Sequence, residues 1–419
     1  MPRDHGRRGR RWGRRRTVVL LVATAAAAAL TATVTPAALA VPSSETWAAE
    51  LSVDGGDDSN VVVADGAIRL RQLTPRATST GPSPSEGELL LAPRRTAAVT
   101  DRVAADVTAD VPAGAQVVVA VRGIRADGTW GQWSEATPDA PAPLSEPTYE
   151  VQVRVTLVAA PDGTGPALRR LWLTADRASA GAPPQAGTQP SVTPALTARV
   201  FATRIGLVGN STANGHQVVA DDRFAALPSR RGLSPRDAGD YTVRVCSAPN
   251  RCAWAPVWDL GPWNTTDDYW SPTDVREASR DLPRGRPEAE AAFTDGYNGG
   301  RDRSGRKVTN PAGIDLADGT FRGDLAMTDN GWVTVTYQWT GSGLSGTTTR
   351  PGDPLTVRAS PSDAASAVGT IAPRARVAVE CSATVTVAGR TAAPERWLRL
   401  GTAQFVPADS LEVRDVPAC

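Results

Sequence analysis

The sequence predicts a mainly β chain of several domains, and three observations carry that expectation. β-Branched residues alternate with polar ones at period two, Asp-Gly and Asn-Gly pairs punctuate the runs, and two low-complexity stretches divide the patterned regions. The chain has 419 residues, enough for several domains.

Residues 1–40 have the parts of an export signal. Eight arginines lie between Arg3 and Arg16, an apolar run extends from Thr17 to Leu30, and Ala38-Leu39-Ala40 offers a cleavage site before Val41. The apolar run is too weak before Pro36 to read as a membrane span, which takes about 20 residues. Arg15-Arg16-Thr17-Val18-Val19 also fits a loose twin-arginine pattern, so both export routes stay open. A secreted or cell-wall-associated chain with no membrane span after signal removal is expected.

The leader removes eight of 45 basic residues and one of 44 acidic ones, leaving 37 against 43, a net charge of −6. That excludes the basic face of a nucleic-acid binder. Lys307 is the only lysine, and with so much Ala, Gly and Pro the arginine bias points to a high-GC genome, as in actinobacteria.

Residues 41–176 carry alternating runs at Ala115–Arg122, Tyr149–Leu157 and Arg170–Ala175, with turns at Asp127-Gly128 and Asp162-Gly163. Short strands at this spacing predict a β-sandwich. The region resembles accessory sandwich domains of secreted actinobacterial hydrolases. Trp130, Trp133 and Trp172 either pack its core, the commoner use, or form a sugar-stacking platform. Residues 177–195 and 341–353, poor in large apolar side chains, read as linkers.

Residues 196–340 contain strand-like runs at Tyr241–Cys246, Trp254–Trp258 and Trp332–Tyr337. Between them stand Thr212-Ala213-Asn214-Gly215, Ala225–Ser229, Asp259-Leu260-Gly261-Pro262 and Ile314-Asp315-Leu316-Ala317. In this order they resemble the double-psi β-barrel of rare-lipoprotein-A-like proteins and expansins. The resemblance implies a polysaccharide groove with Asp315 as the acid that protonates a glycosidic oxygen. General-acid help of that kind is worth about 10²–10⁴-fold. An inverting hydrolase would need a second carboxylate, for which Asp259 is the nearest candidate; a lytic transglycosylase would not. Two departures weaken the enzymatic expectation. Phe224 stands where the rare-lipoprotein-A-like enzymes carry histidine, and Gly313-Ile314-Asp315 replaces the expansin HFD. His216 either substitutes for the lost polar group or is a plain surface histidine. Asp315 either catalyses or holds its turn by accepting backbone N–H bonds.

An insertion of about 50 residues between Pro262 and Ile314 holds Trp263, Asn264, Tyr269, Trp270 and Tyr297, with a short helix expected near Thr273–Leu282. Long irregular insertions are usually functional or disordered. Here aromatic faces suit sugar C–H surfaces, so these residues and Trp258 are candidate glycan contacts; the alternative is a lid that completes the core. Its aspartates match no EF-hand spacing.

Residues 354–419 open with Leu355-Thr356-Val357-Arg358-Ala359-Ser360-Pro361, which resembles the LNVRSGP start of bacterial SH3 domains. Val368–Ile371, Ala375–Val379, Trp397–Gly401 and Gln404–Pro407 follow that pattern. The resemblance implies a small barrel that binds wall peptides or glycans, or one that docks on the central barrel as a spacer.

Four cysteines in an oxidising compartment predict two disulfides, and spacing favours Cys246–Cys252 and Cys381–Cys419. With no CxxC pair and only His216 surviving export, no metal is expected, and no cofactor either, since no Gly-rich phosphate loop is present. One histidine in the mature chain argues against serine and cysteine triads. The sequence therefore supports a monomeric wall protein binding peptidoglycan or a related glycan. The alternatives are a peptidoglycan lytic transglycosylase or glycosidase using Asp315, and a protein–protein scaffold.

Overall fold

Alternation along Gly331–Tyr337 shows how the central strands arise: Val333, Val335 and Tyr337 are buried while Trp332 and Thr334 stay on the surface. The computed structural model describes residues 44–53, 55–178, 193–249, 251–350, 352–385 and 394–419. The expected leader and most of the expected linker 177–195 lie outside these residues.

Six strands close into the central barrel, in the spatial order Ala225–Leu227, Ala312–Leu316, Leu196–Arg204, Gly331–Tyr337, Thr242–Ala248 and Arg251–Leu260. Pairing of Ala225–Leu227 with Arg251–Leu260 closes the ring. The interior is filled by Val200, Ala202, Val243, Val245, Val257, Ile314, Leu316, Val333 and Val335. Closure leaves each of the six barrel strands paired on both sides within the ring.

Apart from a hairpin at residues 76–83, the strands between residues 45 and 176 form one nine-stranded antiparallel sheet. Its two long strands, Arg94–Asp110 and Ala142–Val158, change partners along their length. In the second, Val151, Val153, Val155 and Leu157 pack into the sheet's own core. The polar residues between them, Gln152, Arg154 and Thr156, are buried too. Arg154 donates to the carbonyls of Leu233 and Arg230 in the barrel region, so that face of the strand is covered rather than solvated.

The C-terminal strands are stitched to the barrel. Ala367–Ile371 pairs in parallel with Arg251–Leu260, so barrel and C-terminal strands share one hydrogen-bonded sheet. Within residues 341–353 a strand, Ser345–Thr348, pairs with Arg376–Ala378 and Leu411–Glu412. Both expected disulfides are present. Among the described residues, no helix is long and apolar enough to cross a membrane, and no cluster of His, Cys, Asp and Glu could hold a metal ion.

The insertion departs from expectation in its helix. Thr273–Leu282 forms turns, and the helix is Glu288–Asp295. Arg276 explains the first half: it is fully buried, pairs with Asp267 and donates to the carbonyls of Leu282 and Arg286, which wraps the chain around it. The actual helix follows Pro287, has Glu288 and Glu290 in its first turn and stops at left-handed Gly296.

Candidate functional site

One row of residues crosses four neighbouring barrel strands. Thr203 pairs with Asp315, Asp315 with Ala226, and Ala226 with Asp259. Directly opposed residues on neighbouring strands share a face. Ala226 belongs to an apolar cluster outside the barrel, with Ile205, Val218, Phe224, Trp258 and Ala317, whereas Ala225, Leu227, Ile314 and Leu316 point inward. The row therefore lies on the outer surface of the barrel wall. Two strand spacings separate the backbones of Asp259 and Asp315, about 9.5 Å, and the small Ala226 side chain lies between them.

Both carboxyls are almost wholly buried, at 1% exposure each. Asp315 accepts from the hydroxyls of Thr203 and Ser79. Burial raises its pKa to about 6, against those two hydrogen bonds and with added repulsion from Asp259. The Asp259 carboxylate accepts from the backbone N–H groups of Ala213 and Leu260 and forms a 2.6 Å ion pair with Arg76. Burial raises its pKa as well, opposed by the Arg76 charge and by those N–H bonds. The turn after Asp259 lies close: a Cβ on Gly261 would stand 3.4 Å from Asp315 Oδ2.

Arg76 and Ser79 come from the N-terminal region. They belong to a hairpin, Arg76–Thr78 with Gly81–Ser83, that lies across the row. The insertion grips the same hairpin: Arg306 donates to the Thr80 carbonyl and hydroxyl and to the Trp263 carbonyl, with Asp302 holding its other edge. The chain itself thus occupies the surface above the two carboxyls. Nothing in the polar stretch Arg76–Ser83 signals this contact, since its partners lie 183 and 236 residues away.

The sequence-predicted glycan contacts disperse. Tyr269 and Trp270 are fully buried, pack on Tyr337 and Trp339, and complete the barrel core. Tyr269 donates to the Gly313 carbonyl, and Trp270 donates to Gln132 of the N-terminal sheet. Their faces are closed to a sugar, because the hydrophobic gain of filling the core took them inward. Trp263 packs on Ala289, Ala292 and Val308 and donates to Asn310. Asn264 is buried and accepts from the Arg303 N–H, and Trp258 packs on His216 and Phe224 and donates to the Ala238 carbonyl. Tyr297, partly exposed on the insertion, donates to Asp281. His216 bonds Asp222 at 2.9 Å, and no bond among the described residues joins it to Asp259 or Asp315.

Comparison with known proteins finds residues 196–336 similar to a family described as a domain of unknown function (DUF8814). The matched stretch coincides with the barrel and its insertion and covers roughly a third of the chain. No curated protein and no solved structure matches.

Proposed function

We propose that this chain is an exported cell-wall-associated protein that binds peptidoglycan or a related glycan without turning it over while its carboxylate row is closed. In this reading the N-terminal sheet is a sandwich folded on its two long strands. The six-stranded barrel is a double-psi barrel, and the C-terminal strands are an SH3-like module. Two disulfides and a leader with export features support an oxidising location. The observation that carries the reading is the occupied row. A general acid must approach the oxygen it protonates to about 3 Å, and Ser79, Thr203 and Arg76 hold that space around Asp315 and Asp259.

One specific observation favours the enzymatic alternative. Asp315 is satisfied by hydroxyls rather than backbone N–H groups, and Ser79 is itself exposed, so a single layer of chain separates the acid from solvent. With a carboxylate partner two strands away, an uncovered Asp315 would suit a lytic transglycosylase or glycosidase.

The test incubates mature protein, Asp315→Asn, and an Arg76→Ala/Ser79→Ala pair with purified peptidoglycan, measuring pelleted protein and released muropeptides. Co-sedimentation of the native and Asp315→Asn forms without release is the expected result. Release by the hairpin variant that disappears when Asp315→Asn is added would replace binding with catalysis. No sedimentation by any form would sink both and leave the protein–protein scaffold.

A further inference from the structure

A cleft of about 590 Å³ lies between the barrel and the C-terminal strands. Arg199, Arg244, Ser247, Trp332, Thr334 and Gln404 line it. Its wall is the outer face of three adjacent barrel strands, where Arg199 pairs with Thr334, Thr334 with Cys246 and Thr336 with Arg244. The alternate residues Val200, Val333, Val335, Val243 and Val245 point into the barrel.

Arg244 is half-buried here and makes no ion pair among the described residues; the charge of Glu380 acts on it from beyond ion-pair range. Its two terminal nitrogens donate at 3.2 and 3.3 Å to neutral oxygens of Gln404 and Thr336, and its Nε is buried with no partner. Glu380, the one acidic group lining the cleft, is held by Arg399 at 2.7 Å. Arg199 makes no ion pair among the described residues; its guanidinium lies 4.4 Å over the partly exposed ring of Trp332. Glu290 of the insertion helix feels the charge of Arg199 but is paired with Arg286. A desolvated cation with neutral partners is a costly arrangement that an anion relieves, and guanidinium groups bind carboxylate and phosphate in two-pronged fashion.

We propose that this cleft is an anion-recognising subsite for a wall glycan, in which a carboxylate or phosphate of the polymer bonds Arg244 and a sugar ring lies against the Trp332–Arg199 edge. The proposal rests on the wall-glycan reading above and gives it a ligand chemistry and a place away from the closed carboxylate row. The volume suits one or two sugar units, within the usual range of ligand pockets.

The test titrates the mature chain with three probes: a muramic-acid disaccharide bearing a lactyl carboxylate, a glycerol-phosphate oligomer, and neutral diacetylchitobiose. Tryptophan fluorescence and calorimetry read binding. At least one anionic probe is expected to bind about tenfold or more tighter than the neutral one, and to weaken as salt rises. Preference for the first probe would identify a carboxylate-bearing polymer, and for the second a phosphodiester polymer. Arg244→Gln should weaken binding about tenfold and the surface variant Arg199→Gln several-fold, while Arg414→Gln changes nothing. Should Arg244→Gln fail to fold, Arg199→Gln decides alone. Equal binding of neutral and anionic probes, no binding of any, or arginine variants that bind like wild type would overturn the subsite. Wall sedimentation that survives both arginine variants would overturn the subsite and leave wall binding standing. Anion binding without wall sedimentation would overturn the wall ligand itself.

Discussion

Arg76 and Asp259, 183 residues apart, form a 2.6 Å ion pair that fastens an N-terminal hairpin over the outer face of the barrel. Its geometry makes the carboxylate row an internal joint of the folded chain as well as a candidate site. Ser79 on Asp315 and Arg306 on Thr80 fasten the same hairpin. A short segment fastened by polar contacts at Arg76, Ser79 and Thr80 can be released without unfolding the barrel.

Removal of Arg76 tests that joint. Arg76→Ala leaves the Asp259 carboxylate buried without its cation, and breaking a buried pair typically costs roughly 3–5 kcal/mol. Part of that is recovered if the hairpin lifts and water reaches Asp259, so a loss of about 2 kcal/mol in urea unfolding is expected. Protease cleavage confined to residues 76–83 should accompany it. Unchanged stability and protease resistance would show that the hairpin is held by other contacts.

Asp315 makes stability depend on pH in a direction opposite to that of a paired carboxylate. Its folded pKa is about 6, above the unfolded value of about 3.8. Between those values the native state holds a proton that the unfolded state has lost, so its contribution to stability falls as pH rises from about 4 to 6. Asp315→Asn removes that loss. The variant should be more stable than wild type at pH 7, by roughly 1–3 kcal/mol, and equal to it near pH 4. Urea midpoints across pH 4–8 read this out; a variant less stable at pH 7 would mean that the charged carboxylate is the stabilised form.

Much of the architecture was legible because it depends on local pattern. Runs such as Tyr149–Leu157 and Trp332–Tyr337 declared strands by alternation, and the cysteine spacings anticipated both disulfides. Asp259 and Asp315 were singled out from short turn motifs, and the register places them in one row. What stayed hidden depends on contacts distant in sequence. The alternation of Tyr149–Leu157 does not tell what covers its polar face, and Arg154 is buried against the barrel. The aromatic density of the insertion reads equally as groove or core, and only packing decides that Tyr269 and Trp270 go inward. No periodicity marks Arg76 or Ser79, because a hairpin that docks through side-chain tips looks like any polar loop.

Gly369 sits where the C-terminal strands join the barrel. A Cβ there would lie 2.6 Å from the Cys252 carbonyl oxygen and 2.9 Å from the Trp254 ring, closer than real side chains approach backbone. Gly369→Ala must push the two strands apart, at a cost of roughly 1–3 kcal/mol. Unfolding that splits into two transitions, with the C-terminal strands melting first, is the expected signature. A single unshifted transition would place the strength of the joint elsewhere.

The two disulfides should differ in what they stabilise. Cys381–Cys419 closes 38 residues and ties down the last residue of the chain, whereas Cys246–Cys252 spans six and links partners already paired in a hairpin. In the loop-entropy model these are worth about 4 and about 2 kcal/mol. Paired serine substitutions compared in urea should keep that order. The reverse order would mean that native contacts, rather than unfolded-chain entropy, dominate.

Trp133 carries the last prediction. It comes from the N-terminal region yet lies in the barrel's apolar cluster, fully buried. The guanidinium groups of Arg122 and Arg154 cover it at 4.3 and 4.4 Å from the ring centre. Each arginine is anchored separately, Arg122 by Asp240 and Gln152, Arg154 by the carbonyls of Leu233 and Arg230. Two cations that are each held in place therefore lie against the ring. Trp133→Ala would leave a cavity and two guanidinium faces without their π partner, a loss of about 4 kcal/mol or more. Trp133→Phe keeps one aromatic face and should lose about half as much. If Trp133 were instead a sugar platform, alanine would weaken wall sedimentation and leave the urea midpoint in place. Full burial of the ring argues for the first outcome, and measuring both quantities on the same variant separates the two.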